Sequence, residues 1–178
     1  MTNNKKVALL RGVNIGGANR VVMNTLCSAL ESHGFKNVAS YLNSGNILYT
    51  SSNDIPSDEM TISDTIKSEF GLNIPTIALK ADTFRKICDE NPFANHPELL
   101  PNLIHIIFVK SLGNLNKDFQ DLNYGDSYYV GKHAVYLYTP NGYHKSKINS
   151  SFWEQQLNSL TTARNLNTVT KLLSLIGS

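Results

Sequence analysis

The pattern of apolar and polar positions begins with a period of two. Over residues 5–13, Val7, Leu9, Arg11 and Val13 fall on one side and Ala8, Leu10 and Gly12 on the other, which predicts a strand. A loop, Asn14-Ile15-Gly16-Gly17-Ala18-Asn19, follows. Met23, Leu26, Cys27 and Leu30 then recur at helical spacing, so a helix is expected with Cys27 in its buried stripe and Gly34 as a left-handed stop before Phe35. Residues 38–43 and 46–51 read as two strands joined by a two-residue turn at Ser44-Gly45. A second helix over 57–70 carries Ile62, Ile66 and Phe70 on one face and stops at Gly71, and residues 73–80 form the next strand. The order β-α-β-β-α-β is that of a ferredoxin-like α/β plait, an antiparallel sheet with both helices on one face.

The rest of the chain repeats the theme less clearly. A short helix over 82–90 places Phe84, Ile87 and Cys88 on a common face and is stopped by Asn91-Pro92. Residues 91–101, rich in proline and asparagine, read as a connection. A strongly apolar strand covers 103–110, a short helix 115–122, and a hairpin joins 127–130 to 133–139 across Gly131-Lys132. Ser151-Phe152-Trp153-Glu154 has the form of a capping box, with the helix free to begin slightly earlier, and Asn165 is placed to cap a last helix through Val169, Leu172, Leu173 and Ile176. This half is a second plait-like unit that lacks one evident strand. The expected organisation is α+β, with residues 1–80 as a first plait, 81–178 as a second, and the C-terminal helices free to pack back on the first.

Length and composition agree with one or two compact cores. The chain has 178 residues, of which 41% are hydrophobic and 17% charged, with a net charge of +2, which is too apolar and too weakly charged for disorder. No apolar run has a membrane helix's length, and the first residues do not resemble a signal peptide, so the expected compartment is the cytosol, with no membrane partner. Cys27 and Cys88 form neither a metal motif nor a disulfide framework, and both are expected in the core. The charge is uneven: residues 1–50 carry +4, residues 51–128 carry −6 and residues 129–178 carry +4. Three of the four arginines, Arg11, Arg20 and Arg164, lie in the basic ends beside glycine- or asparagine-rich segments, where a guanidinium suits planar recognition of phosphate or carboxylate.

In a plait the first and third strands are neighbours, so Arg11 and Gly12 at the end of one lie beside Asn46 at the start of the other. Asn14, Gly16, Gly17, Arg20, Ser44 and Gly45 gather at the same edge with the first helix's N-terminus, where backbone amides and partial positive charge suit an anion. The glycine pattern is neither a Walker loop nor a dinucleotide fingerprint. A second cluster, Thr162-Ala163-Arg164-Asn165-Leu166-Asn167-Thr168, puts Arg164, Asn165 and Asn167 at the start of the last helix, where polar side chains hold an oxyanion or a base edge. Lys145-Ser146-Lys147 reads as a solvated loop. The five histidines show no ligand spacing, and His105 reads as a structural residue inside an apolar strand. Tyr41 and Tyr49 are candidates for exposed sheet aromatics, although the aromatic segment of RNA-binding plaits is missing.

Three segments together, Leu9-Leu10-Arg11-Gly12-Val13-Asn14-Ile15-Gly16-Gly17, Tyr41-Leu42-Asn43-Ser44-Gly45-Asn46 and Thr162-Ala163-Arg164-Asn165-Leu166-Asn167-Thr168-Val169, make the chain resemble the bacterial domain-of-unknown-function 1697 family nearly end to end. The resemblance implies two ferredoxin-like units in one cytosolic protein and implies no established activity. Val22, Asn43 and Leu166 stand where the family pattern has proline, glutamine and tryptophan, so no aromatic ring is available at the C-terminal motif.

The expected function is binding of a small phosphorylated or nucleotide-like anion at a site built from both ends of the chain, the two basic segments focusing one positive potential. A nucleic-acid-binding module and a protein-interaction scaffold are the alternatives. The sequence assigns no reaction, no cofactor, no metal and no oligomeric state. Neither Arg11 nor Arg164 is read as a core residue.

Overall fold

A computed structural model describes residues 4–111 and 125–177. The chain divides into two compact units, Met1–Arg85 with Ile176–Ser178, and Lys86–Leu175. The helix expected over 115–122 lies outside the described residues.

The first unit contains β1 (Lys5–Leu10), α1 (Met23–Ser32), β2 (Lys36–Tyr41), β3 (Asn46–Thr50), α2 (Ile55–Phe70) and β4 (Thr76–Lys80). Its antiparallel sheet has the order β2-β3-β1-β4, the ferredoxin-like plait that the order of elements predicts. Ala8 and Leu10 of β1 join Leu26 and Leu30 of α1, Ile62 and Ile66 of α2, and Ile47 of β3 in one core. The helix ends follow local chemistry. At the end of α1, Gly34 takes φ +88° and donates to the Glu31 carbonyl at 3.0 Å, while Phe35 N–H donates to Leu30 at 3.2 Å, the paired bonds of a Schellman stop. Asp54 caps α2 by accepting from Ser57 N–H at 2.9 Å, and Gly71 ends it in the left-handed region.

The second unit contains β5 (Ile104–Val109), β6 (Ser127–Val130), β7 (Ala134–Tyr138), α4 (Ser150–Leu157), β8 (Thr161–Asn165) and α5 (Leu166–Gly177) up to Leu175. Helix α3 (Ala81–Asp89) lies astride the division between the units. The second sheet has the order β6-β7-β5-β8, which places its strands as in the first sheet. Trp153 of α4 is fully buried with Ile107, Val109, Val135 and Leu137. Every residue of β5 is buried, which explains why its sequence is a continuous apolar run rather than an alternation.

Several local expectations are corrected. The strand missing from the second half is β8, formed by residues expected to lead into a helix; the helix starts one residue after it, with Asn165 Oδ1 accepting from Thr168 N–H at 2.9 Å. The first strand ends at Leu10 rather than Val13. Asn149, not Ser151, caps α4, its Oδ1 accepting from Ser151 and Phe152 N–H. Cys27 is half-buried and outside the core stripe, and partial burial raises its thiol pKa. Cys88 is buried as expected, its thiol pushed up to about 12 by desolvation.

Candidate functional site

Between β1 and α1 the chain forms a small hairpin of its own. Ile15 and Ala18 pair as an antiparallel bridge, with Ala18 N–H donating to Ile15 at 3.0 Å and Asn14 N–H to Asn19 at 3.1 Å. Gly16 and Gly17 between them take φ +58° and +82°, the two left-handed positions of a primed two-residue turn. Both glycines are exposed, with open space where a Cβ would stand. Turn chemistry therefore accounts for their identity, and their backbone faces solvent.

The β2–β3 connection is not the expected two-residue turn. Tyr41 pairs directly with Asn46, which leaves a four-residue loop, Leu42-Asn43-Ser44-Gly45, entered through Leu42 at φ +58°. Asn46, fully buried, holds the loop closed: its amide donates to the Tyr41 carbonyl at 2.8 Å and to Ser44 Oγ at 3.0 Å. Gly45 accepts from Leu10 N–H at 2.8 Å. A Cβ on Gly45 would stand 2.6 Å from Leu10 Cβ and 2.7 Å from Val13 Cγ2, so close packing against β1 selects glycine there.

One side chain ties the two loops together. Asn14 Nδ2 donates to the Asn43 carbonyl at 2.7 Å and to the Val21 carbonyl at 3.1 Å, and its Oδ1 accepts from Val21 N–H at 2.9 Å. Asn19 adds a bond from its amide to the Gly12 carbonyl at 3.1 Å. Asn14 and Asn46 thus build the walls of the edge, their amides engaged with the protein's own backbone.

Against these walls lies an open cleft of about 580 Å³ lined by Asn14, Gly17, Ala18, Arg20, Val21, Val22, Met23, Asn24 and Asn43. It opens on the start of α1. No side chain caps that helix, and its first turn contains no acidic residue, so its first amides are left without a side-chain acceptor and the positive end of its dipole is not offset by a carboxylate. Arg20 is exposed and has no hydrogen-bond or ion-pair partner among the described residues. No lining residue is acidic. The arrangement can therefore attract and hydrogen-bond an anion.

The expected residues divide on this geometry. Asn14, Gly17 and Arg20 line the cleft, and Gly16, Ser44, Gly45 and Asn46 shape the adjoining turns. Arg11 is half-buried at the end of β1, where its N–H donates to Pro75 at 2.9 Å, and Gly12 takes φ +68°. Ala18, Val21, Val22, Met23, Asn24 and Asn43 line the cleft without being among the ligand-binding candidates of the sequence. Asn43 was concealed by its assignment to a strand end; the signal for Asn24 was its position in the first turn of the predicted helix.

The second unit holds the other candidates. Arg164 is buried, which corrects the expectation that it stands outside the core. Its guanidinium donates to Thr162 Oγ1 at 2.9 Å and to the Ala163 carbonyl at 2.8 Å. Desolvation lowers its pKa to about 10, so it remains charged at neutral pH. Asn165 is occupied as the α5 cap, and Asn167 is exposed. His105 is a structural residue, buried and stacked on Tyr143 at 4.4 Å between ring centroids, with burial lowering its pKa to about 4. Lys145 and Lys147 are exposed, as a solvated loop requires.

A buried charge network in the first unit escaped the sequence. Lys6 Nζ lies 2.6 Å from Asp58 Oδ2 and 2.6 Å from the Asn53 carbonyl. Asp58 also accepts from Ser51 Oγ at 2.7 Å and Tyr49 O–H at 3.2 Å. Tyr49 is buried and stacked on Phe35 at 4.8 Å, so it is no exposed platform for a base. Among the described residues no group of histidine, cysteine and acidic side chains could hold a metal, and no helix is long and apolar enough to cross a membrane.

Two four-stranded ferredoxin-like units, the first bearing a loop-walled cleft at a helix start, define an α+β protein. The chain belongs to the family described as Protein of unknown function (DUF1697), whose model matches residues 3–136. A solved structure of a conserved bacterial protein from Streptococcus pneumoniae is similar in fold, with a TM-score of 0.70, 20% sequence identity, and 97% of this chain and 98% of that chain covered. No curated protein matches the sequence.

Proposed function

We propose that the protein binds a small phosphorylated anion in the cleft at the start of α1. The observation that carries the reading is Arg20, exposed and without a partner among the described residues, beside a helix start that no side chain caps. Fixed amides and a helix dipole favour negative charge at such a position, and the absence of acidic lining residues leaves that field uncancelled. A cytosolic setting is proposed with it. Arg11, in the same unit, is proposed as a further contact, supported by the charge of the basic N-terminal segment.

A thermal-shift panel of phosphometabolites and nucleotides tests the reading. A ligand at 100 times its dissociation constant stabilises by about 2.7 kcal/mol, a readily measured shift that Arg20→Ala should reduce. Absence of any shift across the panel contradicts the reading. Single-stranded RNA and duplex DNA serve as the comparison arm: binding of these alone, with a steep loss of affinity between low and moderate salt, would replace the small ligand by a phosphate backbone.

A further inference from the structure

We propose that the anion is a mononucleotide, its base seated against an apolar rim of the cleft. The inference rests on the anion reading above and adds the chemistry of the uncharged part of the ligand. Six large hydrophobic side chains are exposed among the described residues; one of them lines this cleft and two more stand next to lining residues. Val22 lines the cleft and is 49% exposed. Ile15, 68% exposed, pairs with the lining residue Ala18 across the small hairpin, and Leu42, 54% exposed, precedes the lining residue Asn43. Single exposed apolar residues are ordinary, whereas a cluster rimmed by polar groups marks a contact surface.

Size and hydrogen bonding point the same way. A cleft of about 580 Å³ is far larger than a phosphate requires and falls in the range of sites for ligands the size of a nucleotide. The side chains of Asn24 and Asn43 are exposed and have no hydrogen-bond partner among the described residues. Each offers a carbonyl acceptor and an amide donor, the complementary pair that reads the edge of a heterocyclic base. Arg20 supplies the charge for the phosphate, the apolar rim covers a face of the base, and the two amides meet its edge. Inorganic phosphate or a sugar phosphate would satisfy the charge and leave Ile15, Val22 and Leu42 in water.

The test compares inorganic phosphate, ribose 5-phosphate and a set of nucleoside 5′-monophosphates by calorimetry on the full chain, with amide NMR shifts of Ala18, Met23 and Asn24 locating the site. The expected result is that at least one nucleotide binds roughly tenfold more tightly than ribose 5-phosphate, the scale that apolar contact with a base supplies. Replacing Ile15 and Leu42 together by alanine should abolish that preference while ribose 5-phosphate binding is unchanged. Both positions are exposed, and an unchanged thermal midpoint of the free variant verifies its fold. Equal binding of nucleotide and ribose 5-phosphate overturns the mononucleotide and leaves the anion reading standing. Absence of binding by all three classes overturns the anion reading itself.

Discussion

The side-chain amide nitrogen of Asn14 lies 2.7 Å from the backbone carbonyl of Asn43, joining the loop after the first strand to the loop before the third. The same side chain holds both backbone groups of Val21. Residues 29 positions apart in sequence thereby become the opposite walls of one cleft. Asn14→Ala removes three hydrogen bonds, two of them to the buried Val21, and should cost about 1–3 kcal/mol in urea unfolding. Asn14→Asp keeps the acceptor for Val21 N–H but sets a carboxylate oxygen against the carbonyls of Val21 and Asn43, and should be no more stable than alanine. Equal stability of all three proteins would show that the clamp is not formed in solution.

Two glycines at the same edge should respond differently to alanine. Gly17 has a positive φ but open space around a would-be Cβ, whereas Gly45 has a positive φ and faces Leu10 Cβ at 2.6 Å. Gly17→Ala should therefore cost about 1 kcal/mol, the strain of the left-handed backbone. Gly45→Ala adds overpacking against β1 and should cost about 2–4 kcal/mol. Chemical denaturation of the two variants checks the order, and a smaller loss at Gly45 than at Gly17 would contradict the packing.

Stability should also fall with acidification through His105. Burial lowers its folded pKa from 6.5 to about 4, so on acidification the unfolded chain takes up the proton first. The neutral form's contribution is fully present above pH 6.5 and is progressively lost as the pH falls from there to about 4, below which both states are protonated. The loss should amount to about 2–3 kcal/mol. His105→Phe retains a ring to stack on Tyr143 and removes the titration. The difference in unfolding free energy between variant and wild type should therefore shift in the variant's favour between pH 7 and pH 4, and a pH-independent difference would contradict a buried neutral imidazole.

Much of the fold could be read from local chemistry. Gly34 and Gly71 end helices because each follows a helical stripe and permits the left-handed turn, and period-two and period-3.6 patterns identify β1, α1 and α2. Strand β8 was hidden because Thr161–Asn165 is short and polar, with the pairing of Arg164 opposite Ile106 supplied by a distant strand. The loop at Ser44-Gly45 departs from a two-residue turn because Leu42, a residue type that rarely adopts positive φ, opens it. Lys6 and Asp58 lie 52 residues apart, and nothing local marks either as buried. Glycine and arginine composition marks the edge at which the cleft lies, while the place of Asn24 and Asn43 in its lining depends on loop geometry that no periodicity encodes.

A titration of the ¹⁵N-labelled protein with a nucleoside monophosphate, followed by amide shifts in wild type and Arg20→Ala, addresses the central claim most directly. The account predicts saturable shifts concentrated at Gly17, Ala18, Val22, Met23 and Asn24, with affinity lowered in the variant by about tenfold, the value of one charge-assisted contact. Shifts centred elsewhere in the chain, or unchanged affinity in Arg20→Ala, would contradict an anion site at the start of α1.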